Sequence, residues 1–363
     1  MAIFVGIIGL PNVGKSTLFN TLTRAQVEAS NYPFCTVEPN VGMVEVPDTR
    51  LDRLNALLSP ESCTPTHIRF VDIAGLVRGA SRGEGLGNQF LGHIREADAL
   101  VHVVRCFVDD GIVHVDGRVD PLADVETVQT ELMLADLETA ETAHSKLEKV
   151  ARSDMRAVDK GALDLLARAV EGLRQGHFIR DLGFEGEAAE KILTYRFLTA
   201  KPTLYLANVS EDTLPTGGTD VERLRERFGC DRVLAVSGKI ESELLDLTAE
   251  DRLMFLEDLG LSETGLNRLI LAGYGLLNLV TFYTLAKSKL QAWQLVAGTG
   301  AQKAAGKIHS DMEKGFIRAE VAACEDLLDQ GSYDKLRHLG KLRTEGRDYV
   351  VKDGDVIEFL FKA

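Results

Sequence analysis

Residues 3–20 read Ile3-Phe-Val-Gly-Ile-Ile-Gly9-Leu-Pro-Asn12-Val13-Gly14-Lys15-Ser16-Thr17-Leu-Phe-Asn20. An apolar run of strand length leads into G-x-x-x-x-G-K-S, and a helical pattern opens behind it. That order is the setting a phosphate-binding loop requires. The two glycines let backbone N–H groups curl round phosphate oxygens, and the helix N-terminus adds its partial positive charge. Lys15 is expected to bridge the β- and γ-phosphates of a nucleoside triphosphate, and Ser16 to ligate Mg²⁺. Asn12, Val13, Gly14 and Thr17 complete the expected contacts of the loop with the nucleotide.

Outward from the loop, short apolar runs recur at Ile68–Val71, Ala99–Cys106, Thr203–Ala207 and Val233–Val236. Each reads as a strand buried on both faces, and helical stretches separate several of them, so the predicted class is α/β with a mainly parallel sheet. A second carboxylate for the metal belongs at the end of another strand. Asp72, in Arg69-Phe-Val-Asp-Ile-Ala-Gly75, fits as the D-x-x-G of GTPase-like folds, with the Gly75 N–H facing the γ-phosphate. Thr36 lies between these motifs, where its hydroxyl would be a further Mg²⁺ ligand.

Between Cys106 and Thr203 the composition shifts to Ala, Leu, Glu and Lys. Val125, Val128, Leu132 and Ala135, then Ala162, Leu165 or Leu166, Ala169 and Leu173, predict two long amphipathic helices inserted at about 124–199. They either pack on the parent domain or project as an arm. Residues 281–363 hold 13 basic and 12 acidic side chains, which leaves −15 of the total charge of −14 to the first 280. The expected division is therefore a nucleotide-binding domain over 1–280, interrupted by the insertion, and a small β-rich domain over 281–363 with a turn at Asp353-Gly354 between two strands.

A net charge of −14 over 363 residues excludes a uniformly basic nucleic-acid-binding surface but not a local basic patch. The C-terminal region offers such a patch in Lys303, Lys307, Lys314 and Arg318, with His309 and Phe316 interleaved. Five cysteines, far apart and without a C-x-x-C pair, argue for reduced thiols in a cytoplasmic protein rather than a disulfide framework. No membrane span is expected: the first apolar run is too short and lacks a basic flank.

These residues together resemble the Obg-related branch of P-loop GTPase-like proteins, and within it the Obg-like ATPase family, YchF in bacteria. The resemblance is carried by Gly9 to Thr17, Asn31-Tyr-Pro-Phe-Cys-Thr36, Phe70-Val-Asp-Ile-Ala-Gly-Leu-Val77 and Gly79 to Phe90. At the C-terminus it is carried by Ala305 to Ser310, Lys314 to Ala319 and Asp353-Gly-Asp355. It implies a Ras-like P-loop NTPase domain with a helical insertion, a C-terminal β-grasp-like TGS domain, and a cytosolic ATPase that associates with ribosomes through rRNA or ribosomal protein. A monomer is expected.

Guanine is read by N-K-x-D, but this chain has Asn208-Val209-Ser-Glu211 there, as in the family's ATP-preferring pattern. Asn208 is either a base contact or a turn residue; Val209, Glu211 and Ser237 complete the expected base end. The glutamine that orients water in Ras-like enzymes is replaced by Leu76. Water would then be held by backbone near Thr36 and Gly75, by K⁺ on Asn12, or by His114 on a loop. His114 is read as either catalytic or structural. Rival readings are a GTPase of the same fold and a nucleotide-binding scaffold without useful turnover.

Overall fold

A computed structural model describes residues 3–27, 40–73, 75, 79, 87–154 and 159–362. Twelve strands are described: β1 (Phe4–Ile8), β2 (Val41–Glu45), β3 (Ser62–Thr64), β4 (His67–Asp72), β5 (Ala99–Cys106), β6 (Thr203–Val209), β7 (Val233–Val236), β8 (Leu279–Ala286), β9 (Lys289–Val296), β10 (Phe316–Ala323), β11 (Arg343–Glu345) and β12 (Asp355–Phe361). The helices used below are α1 (Lys15–Val27), α2 (Thr49–Leu58), α3 (Gly87–Glu96), α4 (Pro121–Ser153), α5 (Lys160–Arg174), α6 (Gly186–Thr194), α7 (Gly218–Phe228) and α8 (Gly238–Leu244).

The first sheet has the order β2-β4-β1-β5-β6-β7. β1 pairs in parallel with β4 and β5, β5 with β6, and β6 with β7. All five apolar runs of the sequence thus become neighbouring strands. β6 is buried at every residue and β5 at all but its last, as strands covered on both faces should be. Their C-terminal ends point to one edge, where the loops after β1, β4, β6 and β7 carry the predicted site.

α4 starts where Asp120 caps Ala123 and Pro121 supplies a pre-set first turn. α4 packs in two ways along its length. Near its start Val125 packs with Val104, Tyr205 and Val209 of the sheet and Val221 of α7. Further along, Ala140 packs with Leu165, Leu166, Ala169 and Leu173 of α5 and with Ile192 of α6. Buried Asp136 ties the chain's return path to α4 by accepting the Leu198 and Thr199 N–H groups at 2.8 and 2.7 Å.

A second compact unit comprises Glu45–Ile68 together with Ile270–Ala363. It therefore contains a segment from early in the chain, and its start does not coincide with the 280/281 division. Its mixed sheet runs β11-β10-β12-β8-β9-β3. β8 and β9 form an antiparallel hairpin, while β12 lies parallel to β8 and β3 parallel to β9. α2 fills one face, with Leu51 and Leu54 against Tyr283, Leu290 and Val356. The turn at Asp353-Gly354 is present, with Gly354 at φ 84, but it does not close the predicted hairpin. The residues before it contribute a single bridge, Val350 to Gly300, and β12 pairs with β10 and β8 instead.

Candidate functional site

The strand ends of the first unit open on a cleft of about 1250 Å³. Gly14, Lys15, Ser16, Thr17, Asp72 and Gly75 line one end of it; Asn208, Val209, Glu211 and Ser237 line the other. At the phosphate end Gly14 is held at φ +87, and a Cβ there would lie 2.2 Å from Asn208 Nδ2, so only glycine fits. Gly75 approaches the loop closely as well, with the place of its missing Cβ 3.3 Å from Pro11 N.

Lys15, mostly buried, forms an ion pair with Asp72. Ser16 Oγ donates to Asp72 Oδ2 at 3.2 Å, and the Asp72 N–H donates to the Asn40 carbonyl at 2.9 Å. A hydroxyl and a carboxylate side by side are hard oxygen donors of the kind Mg²⁺ takes. Thr36, Cys35 and Leu76, also singled out in the sequence, lie outside the described residues.

Asn208 is buried, and its amide makes two hydrogen bonds inside the protein. Nδ2 donates to the Val13 carbonyl at 3.0 Å, and Oδ1 accepts the Gly238 N–H at 2.9 Å. It ties the phosphate loop to the loop before α8. Val13 takes part through that carbonyl, while its side chain is buried. Val209 is 2% exposed and belongs to the apolar cluster around Tyr205 and Ala207. Glu211 pairs with Lys239 at 2.8 Å, and both are exposed; this hydrogen bond raises the Lys239 pKa. Ser237 is buried at the edge of the cleft.

His114 is not brought to the cleft as a base. It is 7% exposed, Nε2 lies 2.9 Å from Asp124 Oδ2, and Nδ1 accepts the Asp116 N–H at 3.1 Å. Both ring nitrogens are thus engaged within the protein. Burial raises the Asp124 pKa, and the bond from His114 opposes that shift. Its loop is built around Arg105, which donates to the carbonyls of Phe107, Asp109 and Ile112 at 3.2, 3.2 and 3.0 Å. Asn12, at φ 62, pins the same loop to the phosphate loop by donating to the Val113 carbonyl at 3.0 Å.

Sequence reasoning passed over Arg105, Asp124 and Glu131. Each leaves a signal: an arginine inside an apolar strand, and two carboxylates on the apolar face of a helix. Glu131 Oε1 accepts the Gly79 N–H at 2.8 Å. In the second unit Lys303, Lys307, Lys314 and Arg318 are exposed as predicted. Phe316 is partly buried and packs against a core cluster, with Phe359 at 6.3 Å between ring centroids. The exposed apolar neighbour is Ile317, at 60%.

Comparison with known proteins adds relatives over the whole length. Residues 4–151 match the family described as "50S ribosome-binding GTPase", and residues 279–362 match YchF-GTPase_C, described as "Protein of unknown function (DUF933)". The chain is 51% identical over 358 residues to the "Ribosome-binding ATPase YchF" of Haemophilus influenzae, covering 98% of each. To the protein of the same name in Bacillus subtilis it is 49% identical, covering 99% of this chain and 100% of that one. Among solved structures it resembles the "YchF GTPase" of Schizosaccharomyces pombe, with a TM-score of 0.89, 34% identity and coverage of 99% and 97%.

Proposed function

Since this chain belongs to the YchF family, we propose that it hydrolyses ATP in the cleft of its first unit and associates with ribosomes. One arrangement carries the catalytic half of this reading: Lys15, Ser16 and Asp72 converge at the phosphate end. Lys15 binds the β- and γ-phosphates of ATP and leaves Asp72 to do so; the ion pair keeps the lysine charge at the site beforehand. Ser16 and Asp72, with Thr36, would hold Mg²⁺, which neutralises charge on the phosphate oxygens when bound. The backbone N–H groups of residues 13–17, and that of Gly75, face the triphosphate, and Thr17 closes the loop. Asn12, whose amide keeps Oδ1 as an acceptor while Nδ2 donates to Val113, is the proposed K⁺ ligand.

At the base end Val209 replaces the lysine of N-K-x-D and Glu211 is engaged by Lys239, which supports adenine over guanine. Val209, Glu211 and Ser237 form the proposed walls of the base pocket, with Asn208 bracing it from behind. His114 acts on water only after leaving Asp124, and the proposed active state has that bond broken. A GTPase is the second reading, favoured by the description of the fission-yeast relative. The proposed setting is the cytoplasm and the proposed state a monomer; no described helix is long and apolar enough to cross a membrane. Equilibrium binding of ATP and GTP to the purified protein, with Mg²⁺ and in KCl or NaCl, tests the nucleotide half. Tighter GTP than ATP binding would replace this reading with the second.

A further inference from the structure

The loop between β5 and α4, residues 107–120, is built with its polar groups turned in and its apolar ones turned out. Arg105, 2% exposed near the end of β5, donates to the carbonyls of Phe107, Asp109 and Ile112. Its guanidinium carbon lies 4.6 Å from the centre of the Phe107 ring. His114 is buried against Asp124, and its carbonyl accepts the Gly117 N–H at 3.1 Å. Asn12 holds the Val113 carbonyl. The apolar side chains face the other way: Val108 is 81% exposed, Val113 76%, Val115 48% and Ile112 38%.

This arrangement is unfavourable for an isolated loop. A buried guanidinium is costly unless hydrogen-bonded, and the carbonyls held by Arg105 satisfy it. Leaving branched apolar side chains in water forgoes the burial that stabilises a fold. A loose loop could turn its valines onto the protein, but Arg105, Asn12 and the His114–Asp124 contact fix this one. A surface already fixed loses little freedom on binding, which is how preorganised interfaces gain affinity. Nucleotide accounts for only part of the exposure: Val108 and Ile112 line the cleft, whereas Val113 and Val115 do not.

Charge constrains what covers the rest. The loop holds Asp109, Asp110, Asp116 and Asp120 against Arg118, four acidic groups to one basic, or −3. Such a surface repels RNA phosphates. A protein that sits among RNA phosphates carries lysine and arginine, and an apolar side chain between such cations complements both features of the loop.

We propose that the outward face of residues 108–115 is a docking surface for a basic protein segment of the ribosome, one that presents an apolar side chain flanked by lysine or arginine. The apolar contact supplies the affinity, while the carboxylates select the partner and speed the encounter. One loop then borders nucleotide through Val108 and Ile112 and meets the partner through Val113 and Val115. The inference rests on the reading of this chain as ribosome-binding, and the test separates the two.

Wild type is compared with Val113→Ser plus Val115→Ser, with Val113→Leu plus Val115→Leu, and with Asp110→Lys, an exposed position outside the cleft. Each protein is titrated against purified ribosomes by co-sedimentation at low and high salt. Tm and ATP hydrolysis without ribosomes are measured alongside. Serine keeps the backbone, including the carbonyl that Asn12 holds, and removes the apolar surface. Ribosome affinity of the serine variant should fall roughly tenfold, the effect of truncating central contacts of an interface. Its hydrolysis should stay within about twofold and its Tm within about 2 °C, as for other surface substitutions. The leucine variant keeps the apolar surface and should bind within about threefold of wild type. Asp110→Lys should bind about threefold to tenfold more weakly at low salt, and the loss should shrink as salt rises. Equal pelleting of the serine variant and wild type would overturn the inference, as would a leucine variant as weak as the serine one. Unchanged or tighter binding by Asp110→Lys at low salt would also overturn it, tighter binding being the mark of an RNA partner. Should the serine variant melt early, Asp110→Lys alone decides. Wild type that does not pellet at all overturns the ribosomal reading and this inference with it; wild type and serine variant pelleting alike overturn this inference alone.

Discussion

Replacing Asn208 by alanine removes both ends of the tie between the phosphate loop and the loop before α8. The Val13 carbonyl loses a donor at 3.0 Å and the Gly238 N–H loses an acceptor at 2.9 Å, both at a position 6% exposed. Each orphaned buried group costs about 1–3 kcal/mol, so the pair should destabilise the first unit by roughly 2–6 kcal/mol. At about 2–4 °C per kcal/mol for a unit of this size, Tm should fall by roughly 4–24 °C. Gly14, which leaves 2.2 Å between a notional Cβ and Asn208 Nδ2, loses the wall that fixes it, and ATP binding should weaken about tenfold for each 1.4 kcal/mol of lost preorganisation. The ATP/GTP affinity ratio should not move if the amide's work is to join the two loops through Val13 and Gly238. Asn208→Asp should do no better, since it sets a carboxylate oxygen against the Val13 carbonyl. Differential scanning calorimetry with and without ATP, and competition between the two nucleotides, give both quantities. A Tm within about 1 °C of wild type, or an ATP/GTP ratio changed tenfold, would refute the bracing role.

Lys15→Ala should weaken ATP binding by at least about tenfold to a hundredfold, the value of a charged hydrogen bond to phosphate, measured by titration calorimetry. Glu211→Asp should raise GTP affinity relative to ATP by shortening the reach to Lys239, read by competition binding. Adding Val209→Lys, which would complete N-K-x-D, should instead unfold the protein in urea at lower concentration, because it buries an ammonium in the cluster around Tyr205. Burial holds the His102 pKa down at about 3, below its ordinary value near 6.5. The unfolded chain therefore takes up that proton first, and stability should fall as pH drops from 6.5 toward 3, by about 1.4 kcal/mol per pH unit at the steepest. His102→Leu should flatten this acid limb in urea melts at pH 7 and pH 5. Reversing Lys307 and Lys314 to Glu should weaken co-sedimentation with ribosomes while sparing hydrolysis by the free protein. The difference should shrink at higher salt, where the wild-type contact is itself screened.

The parallel sheet was legible because burial on both faces writes itself as uninterrupted apolar runs, and the phosphate loop because its glycines, lysine and serine follow such a run. The long α4 was legible from three- and four-residue spacing, and its dual packing was not, since one apolar face serves sheet and helix alike. Two features were hidden for the same reason, namely that they depend on partners far away in the chain. Glu45–Ile68 joins the second unit because α2 buries Leu51 and Leu54 there, which no local pattern announces. His114 could be read as either catalytic or structural because Asp124, its partner, looked like an ordinary acidic residue in the first turn of a helix. Asn208 was placed correctly at a strand end, and its commitment to Val13 and Gly238 emerged only from the geometry.

Single-turnover hydrolysis of ATP and of GTP, at equal saturation, with and without ribosomes and with Lys15→Ala as the blank, bears most directly on the central claim. The account predicts that ATP is cleaved by wild type and not by the variant, that GTP is cleaved more slowly, and that ribosomes alter the ATP rate. Equal rates in wild type and the Lys15 variant, or GTP cleaved in preference to ATP, would contradict it.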